Sequence, residues 1–303
     1  MRILIIGAGA TGGAFGTRLI EAGRDVTFLV RPRRAEALDR DGLTFRAPDG
    51  QRTHRVRALT QIKPGDHYDL VIVAVKAPAV PSVLTAAAPA IGPDTLVLPL
   101  LNGMDHLDAL ERAYPGRVLG GLVKIVATVD EAGAAVQMTP LSTMTIGPFH
   151  GAQVPDEVRE ALDVPGIRLS VDEDVETRLW EKWAFIASAG VITCLFRGTI
   201  GDILAAGGEE HILRAIAETE DVARAAGHPV SEKSHGQNAA MLTEPGSSFT
   251  SSLYRDLQHG DPAEAEHIIG GMAARARALG VATPLLDAAL LQLRTHREAM
   301  ARG

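Results

Sequence analysis

Residues 3–16 read I-L-I-I-G-A-G-A-T-G-G-A-F-G. The apolar run Ile3 to Ile6 predicts a buried strand, and the glycines at 7, 9 and 12 stand in the G-x-G-x-x-G arrangement that opens a helix. In that arrangement each glycine has its own mechanical task. Gly7 allows a tight turn, Gly9 lets backbone approach a pyrophosphate, and Gly12 lets helix and strand pack closely. The helix N-terminus attracts phosphate charge, and Ala10 and Thr11 of the loop are expected to join the cofactor contacts. Glycines also gather in plain turns, so the weight rests on the strand-loop-helix context at the start of the chain. That context predicts a dinucleotide-binding domain.

Reading onward, the second strand ends in Val30-Arg31-Pro32-Arg33-Arg34, and Arg31 lies 19 positions after Gly12. An NAD site usually carries Asp or Glu there for the ribose hydroxyls. An acid would repel a 2′-phosphate, whereas a guanidinium holds it with charge-assisted hydrogen bonds. The expected cofactor is therefore NADP(H), the plainer alternative being a solvated basic loop. The missing acid also speaks against a flavin, NAD or methyltransferase site.

Short apolar runs at 2–6, 25–30, 69–75 and 95–101 alternate with helical patterns at 13–22, 32–40, 78–91 and 103–114. Such alternation implies a parallel sheet with helices on both faces. Residues 43–57, around Ala47-Pro48-Asp49-Gly50, read as a hairpin, and 117–129, 134–139 and 143–147 as further strands. These are expected to extend the sheet with antiparallel members. After residue 173 the pattern is helical, with one long stretch from Glu176 to about Ala206 and two helix ends marked by Gly227-His228-Pro229 and by Gly280 before Pro284. The predicted organisation is an α/β Rossmann-type domain over 1–172 and an all-helical domain over 173–303.

The 303 residues suit two domains, and 30 basic against 37 acidic residues give a net charge of −7 without long runs of one sign. That balance argues against nucleic acid or an acidic membrane as the main partner. Hydrophobic residues at 46% and charged residues at 22% are ordinary for a folded globular chain. The single cysteine, Cys194, cannot form an intrachain disulfide, and no Cys/His cluster has zinc spacing, so no metal is expected. No signal-peptide pattern is visible and no apolar run approaches a membrane span. A cytoplasmic protein, neither exported nor inserted, is the expectation.

Ligands of an open parallel sheet sit outside the C-terminal strand ends. Two such ends carry polar residues, Val75-Lys76-Ala77 and Leu101-Asn102-Gly103-Met104. Each alone reads equally as an exposed lysine or a plain turn. Together with G-A-G-A-T-G at 7–12, Arg31, L-W-E-K at 179–182, S-S-L-Y-R-D at 251–256 and E-A-E-H-I-I-G at 264–270, they make the chain resemble the ketopantoate reductases over nearly its full length.

The resemblance implies NADPH as reductant, a 2-oxo acid as substrate and a role in pantothenate biosynthesis. It places Lys182 at the catalytic lysine position and Glu264 at that of its partner glutamate. Asn102 falls between nicotinamide and substrate, Lys76 near both, and Ser252 against the substrate carboxylate. The residue types suit the chemistry, because hydride delivery to C2 leaves an alkoxide that needs a positive charge and a proton, and an ammonium supplies both. Plainer readings stand beside these. Lys182 is also a solvated helix lysine, Ser252 a loop or cap serine, and Trp180 and Trp183 packing residues. Asp261-Pro262-Ala263-Glu264 fits a capping box.

Family members commonly carry asparagines four and eight residues after the catalytic lysine, where this chain has Ile186 and Gly190. That wall becomes apolar, which disfavours burying an unpaired hydroxyl there. Three functions follow: an NADPH-dependent ketopantoate reductase, a reductase or dehydrogenase for a more apolar 2-oxo acid, or a non-catalytic NADP(H) sensor. Catalysis is expected in the cleft between domains, and a homodimer is compatible with the helical second domain.

Overall fold

The structure is a computed structural model that describes residues 1–260 and 264–302. The chain divides into two compact units, one comprising Met1–Leu101 with His106–Val175, the other Asn102–Asp105 with Glu176–Gly303.

The first unit contains β1 (Arg2–Ile6), α1 (Ala10–Glu21), β2 (Asp25–Leu29), α2 (Pro32–Asp41), β3 (Leu43–Ala47), β4 (Gly50–His54), β5 (Arg57–Leu59), β6 (Leu70–Val73), α3 (Val80–Ala87), β7 (Leu96–Pro99), α4 (Asp105–Ala113), β8 (Gly120–Val129), β9 (Ala135–Gly147), α5 (Asp156–Leu162) and β10 (Arg168–Val171). A five-stranded sheet runs β5-β2-β1-β6-β7, and every neighbouring pair in it is parallel. Strand order reverses between β1 and β6, the switch point at which open α/β sheets bind ligands. The Rossmann-type reading of this region holds.

The hairpins do not extend that sheet. They build a second, mixed sheet, β10-β9-β3-β4, with β8 antiparallel to β9 and β3 parallel to it. The physical reason lies on α1, which presents small residues to both sheets. A Cβ at Gly16 would lie 2.5 Å from Phe28 of β2, and one at Gly13 would lie 2.9 Å from Ala135 of β9. The helix is thus covered on two sides, and the second sheet buries apolar surface that would otherwise meet water. Residues 134–139 and 143–147 form one strand, and 57–59 leave the hairpin to edge the parallel sheet.

The second unit is helical: α6 (Val175–Phe196), α7 (Ile200–Ala205), α8 (Glu209–Ala225), α9 (Glu232–Leu242), α10 (Ser252–Gln258), a π-helical turn Glu266–Gly270 running into α11 (Gly271–Leu279), and α12 (Pro284–Met300). The single helix expected to Ala206 breaks at Arg197, which has φ +56°, and restarts at Thr199. There Thr199 and Asp202 form a capping box, the local signal that outweighs the continuing apolar pattern. By length and composition α6 would qualify for crossing a membrane, contrary to the expectation from sequence, yet 72% of its apolar window is buried inside the protein. Of the expected capping box Asp261-Pro262-Ala263-Glu264, residues 261–263 lie outside the described residues.

Candidate active site

In the first unit the glycine turn is hooked between neighbouring strands. The Gly7 amide donates to the Leu29 carbonyl at 3.0 Å, and the Ala74 amide to the Ile6 carbonyl at 2.9 Å. Gly7 takes φ +99°, and a Cβ there would lie 2.7 Å from the Ala74 oxygen. A Cβ at Gly12 would lie 2.0 Å from the Gly7 oxygen, so helix and turn are in direct backbone contact. At Gly9 the same added atom would meet nothing within 4 Å. Two glycines are small because protein fills their space; Gly9 is small where the space is open. No side chain caps α1 at Gly9 and no acid stands in its first turn, which leaves the amides around Ala10 and Thr11 for an anion. This loop fits a dinucleotide pyrophosphate.

Arg31 is the exposed residue preceding α2, whose first position is Pro32. Arg34, one turn on, donates to the Ala8 carbonyl at 2.9 Å, and burial holds its guanidinium below the ordinary value. Gly133, with φ +84°, makes room for it: a Cβ there would lie 2.7 Å from Arg34 Nη1. Sequence reasoning named Arg34 only as one of three arginines; its bond to the glycine loop has no local sequence signal. Lys76 stands exposed just beyond β6, beside the switch point.

In the second unit Lys182 is half-buried in the first half of α6. The next residue, Trp183, is fully buried and donates from Nε1 to the Ile268 carbonyl at 2.9 Å. The Ile268 amide in turn donates to the Glu264 carbonyl at 2.9 Å. Two short steps of structure therefore connect the lysine's neighbour to the backbone of half-buried Glu264. Lys182, Ile186, Gly190 and Thr193 follow one row along the helix. A Cβ at Gly190 would lie 2.7 Å from Leu253 and 3.5 Å from Ile269. Thr193 shares a 2.7 Å hydrogen bond with Ser251. That row thus meets both the π-helical segment and the start of α10.

Ser251, not Ser252, caps α10, accepting from the Tyr254 amide at 3.0 Å. Ser252 is exposed at the first helical position. Trp180 and Trp183 are packing residues, 5% and 1% exposed. Glu181, beside Lys182, is buried, which pushes its carboxyl up. Hydrogen bonds from Ser231 (2.6 Å from the hydroxyl, 3.1 Å from the amide) and from Arg178 outweigh this and hold it below the ordinary range. It fixes α6 against the start of α9 as a charged anchor.

Asn102 is half-buried, and its segment groups with the helices. Its backbone hydrogen-bonds the ring of His267, a residue to which sequence reasoning gave no role. Burial pushes His267 down, against the opposing pull of Asp105 and of that bond.

Family comparison spans most of the chain. The model described as "Ketopantoate reductase PanE/ApbA" matches residues 3–151, and its C-terminal counterpart matches residues 174–297. The chain belongs to the ketopantoate reductase family. Members of this family are oxidoreductases. YkpB of Bacillus subtilis (strain 168), an uncharacterized oxidoreductase, is 31% identical over 301 residues, covering 98% of this chain and 99% of that protein. The 2-dehydropantoate 2-reductase of Mesorhizobium japonicum is 26% identical over 330 residues, covering 100% of this chain and 99% of its own. Among solved structures, a ternary structure of D-mandelate dehydrogenase with NADH and anilino(oxo)acetate has a TM-score of 0.87 over 99% of both chains, at 18% identity. At that identity the likeness speaks for the fold.

Proposed function

We propose that the protein reduces a 2-oxo acid to the 2-hydroxy acid with NADPH, ketopantoate being the leading substrate. The observation that carries this reading is the half-buried Lys182, whose neighbour Trp183 is tied through Ile268 to the backbone of Glu264. Binding a dinucleotide alone requires neither the lysine nor the glutamate.

Gly7, Gly9 and the first turn from Ala10 to Gly12 hold the pyrophosphate, and Arg31 holds the 2′-phosphate. When bound there, NADPH supplies the hydride. In this reading Ser252 meets the substrate carboxylate, Asn102 stands between nicotinamide and substrate, and Lys76 serves both. As C2 receives hydride, the electron pair of its carbonyl moves onto oxygen. The Lys182 ammonium stabilises that charge and hands over a proton, then regains one from solvent. Glu264 keeps the lysine charged and oriented.

A second reading has its own observation. Where a side-chain amide eight residues after Lys182 would reach the substrate, Gly190 is closed over by Leu253, and Ile186 lines the row before it. A hydroxyl buried against these groups would lack a partner, at a cost of about 1–3 kcal/mol. A substrate with an apolar tail fits that wall better, and D-mandelate dehydrogenase, of the same fold, is solved with anilino(oxo)acetate.

A spectrophotometric screen of 2-oxo acids with NADPH and NADH in parallel tests both. We expect NADPH oxidation with ketopantoate and a higher kcat/KM with NADPH than with NADH. Preference for analogues lacking the 4-hydroxyl selects the second reading. Tight NADPH binding without oxidation by any 2-oxo acid reduces the protein to an NADP(H)-binding module.

A further inference from the structure

Four residues that follow β7 in the chain are held by the helical unit, and the side chains that hold them lie on one helix face. Asn102–Asp105 begins just past Leu101, two residues beyond the end of the last parallel strand, yet groups with Glu176–Gly303. At one end of the segment the His267 ring hydrogen-bonds the Asn102 backbone, a bond that favours the protonated ring and is therefore donated by it to the carbonyl. Gly103 lies directly against the same ring: it takes φ +80°, and a Cβ there would lie 2.9 Å from both Cδ2 and Nε2 of His267. At the other end Asp105 is paired with Arg275, whose guanidinium lies 4.9 Å from the centre of the Trp183 ring. Between them Gly271 leaves room, since a Cβ there would lie 2.9 Å from Asp105 Oδ2 and 3.3 Å from Trp183.

Positions 267, 271 and 275 are spaced by four and share one face of the π-turn and α11. That face grips the Asn102 segment and also touches Trp183, the residue next to Lys182. The Asp105–Arg275 pair is partly exposed and screened, so it is the weaker grip. His267 is more enclosed and bonds the backbone of Asn102 itself. A π-helical turn, rare in general and frequent at functional sites, sets its ring at this position.

We propose that His267 is the positioning residue for Asn102: its ring anchors the Asn102–Gly103 turn to the helical unit, so that the Asn102 side chain is set in one frame with Lys182 and Glu264. The consequence for catalysis rests on the reading given under Proposed function; the anchoring does not. His267 touches no reacting atom and acts through Asn102. Displacing a positioned group by an ångström is enough to slow a reaction on the order of 100-fold.

The test combines two measurements on the full-length protein. Hydrogen–deuterium exchange of the peptide spanning Leu101 to His106 is compared in the wild type, His267→Ala and His267→Gln, the last retaining a side-chain N–H donor. We expect faster exchange in His267→Ala and protection restored in His267→Gln. Unchanged exchange in His267→Ala overturns the anchor whatever the activity. Steady-state kinetics then reads the consequence: kcat falls about 10- to 100-fold in His267→Ala. The NADPH dissociation constant stays unchanged, the isotope effect with deuterated NADPH rises, and His267→Gln recovers most of the rate. Faster exchange with normal kcat overturns the positioning role. Should His267→Ala fail to fold, Gly103→Ala, which drives a methyl into the ring, is read by the same exchange and kinetic criteria. If the wild type reduces no 2-oxo acid, the proposed function fails, and the exchange result still decides the anchor.

Discussion

At Gly12 an added carbon would lie 2.0 Å from the carbonyl oxygen of Gly7, whereas at Gly190 it would lie 2.7 Å from a methyl of Leu253. The first obstacle is backbone within the same short loop; the second is a flexible side chain from a distant helix. The glycine loop is a device written in one stretch of sequence and made of backbone. The Lys182 region is assembled from residues far apart, through Trp183 to Ile268, Gly190 to Leu253, Thr193 to Ser251, and Asn102 to His267. One region therefore tolerates almost no change and offers N–H groups; the other adapts at its edges and offers side chains.

The strongest way to break this contrast is at Lys182. Lys182→Ala is expected to lower kcat roughly 10²- to 10⁴-fold, the range for losing a general acid, while the NADPH dissociation constant changes little. Single-turnover kinetics with a fluorescence titration of NADPH checks both halves. Near-normal turnover removes Lys182 from the mechanism, and a large loss of NADPH affinity denies that the two regions have separate tasks.

Next in size is the pair of glycines. Gly12→Ala places a methyl against backbone that cannot yield, so unfolding stability should fall by about 3 kcal/mol or more. Gly190→Ala meets only the end of Leu253 and gains helix propensity, so the change should stay within about 1 kcal/mol. Urea denaturation of the two variants beside wild type measures this. Equal losses would mean that the helical row is as rigidly packed as the loop.

The same contrast explains which parts could be read in advance. The glycine loop, β1 and β6 were legible because turn, strand and helix start are encoded within a few residues. The layer formed by the hairpins was not, because the pairing of β3 with β9 joins Phe45 to Ala135 across most of the unit. Which sheet an edge strand joins is decided by what covers α1, not by its own alternation. The break in α6 had a local signal, the Thr199–Asp202 capping box, but the apolar residues on either side of it masked it. His267 had none, since its meaning comes from Gly103, which sits a whole domain earlier in the chain. The roles proposed for Lys182 and Glu264 come from the resemblance, since spacing alone does not single them out.

The finest distinction is between two arginines on one turn. Arg31 is exposed at the end of β2, and its proposed partner is the 2′-phosphate, which NADH lacks. Arg34 bonds the carbonyl of Ala8 inside the glycine loop, whose proposed partner, the pyrophosphate, is common to both cofactors. Arg31→Ala should weaken NADPH by about 1.5–3 kcal/mol, the worth of a hydrogen bond to a charged group, and leave NADH nearly unchanged. Arg34→Ala frees the loop carbonyl and removes a charge near the phosphates, so it should weaken NADPH and NADH by similar factors. Isothermal titration of each variant with each cofactor separates the two roles. If Arg31→Ala weakens both cofactors equally, the 2′-phosphate is not read at this position. If Arg34→Ala weakens only NADPH, its bond to Ala8 is incidental and the phosphate is held by Arg34 instead. Only the pattern in which one arginine discriminates and the other does not keeps the loop and its neighbouring turn as separable devices.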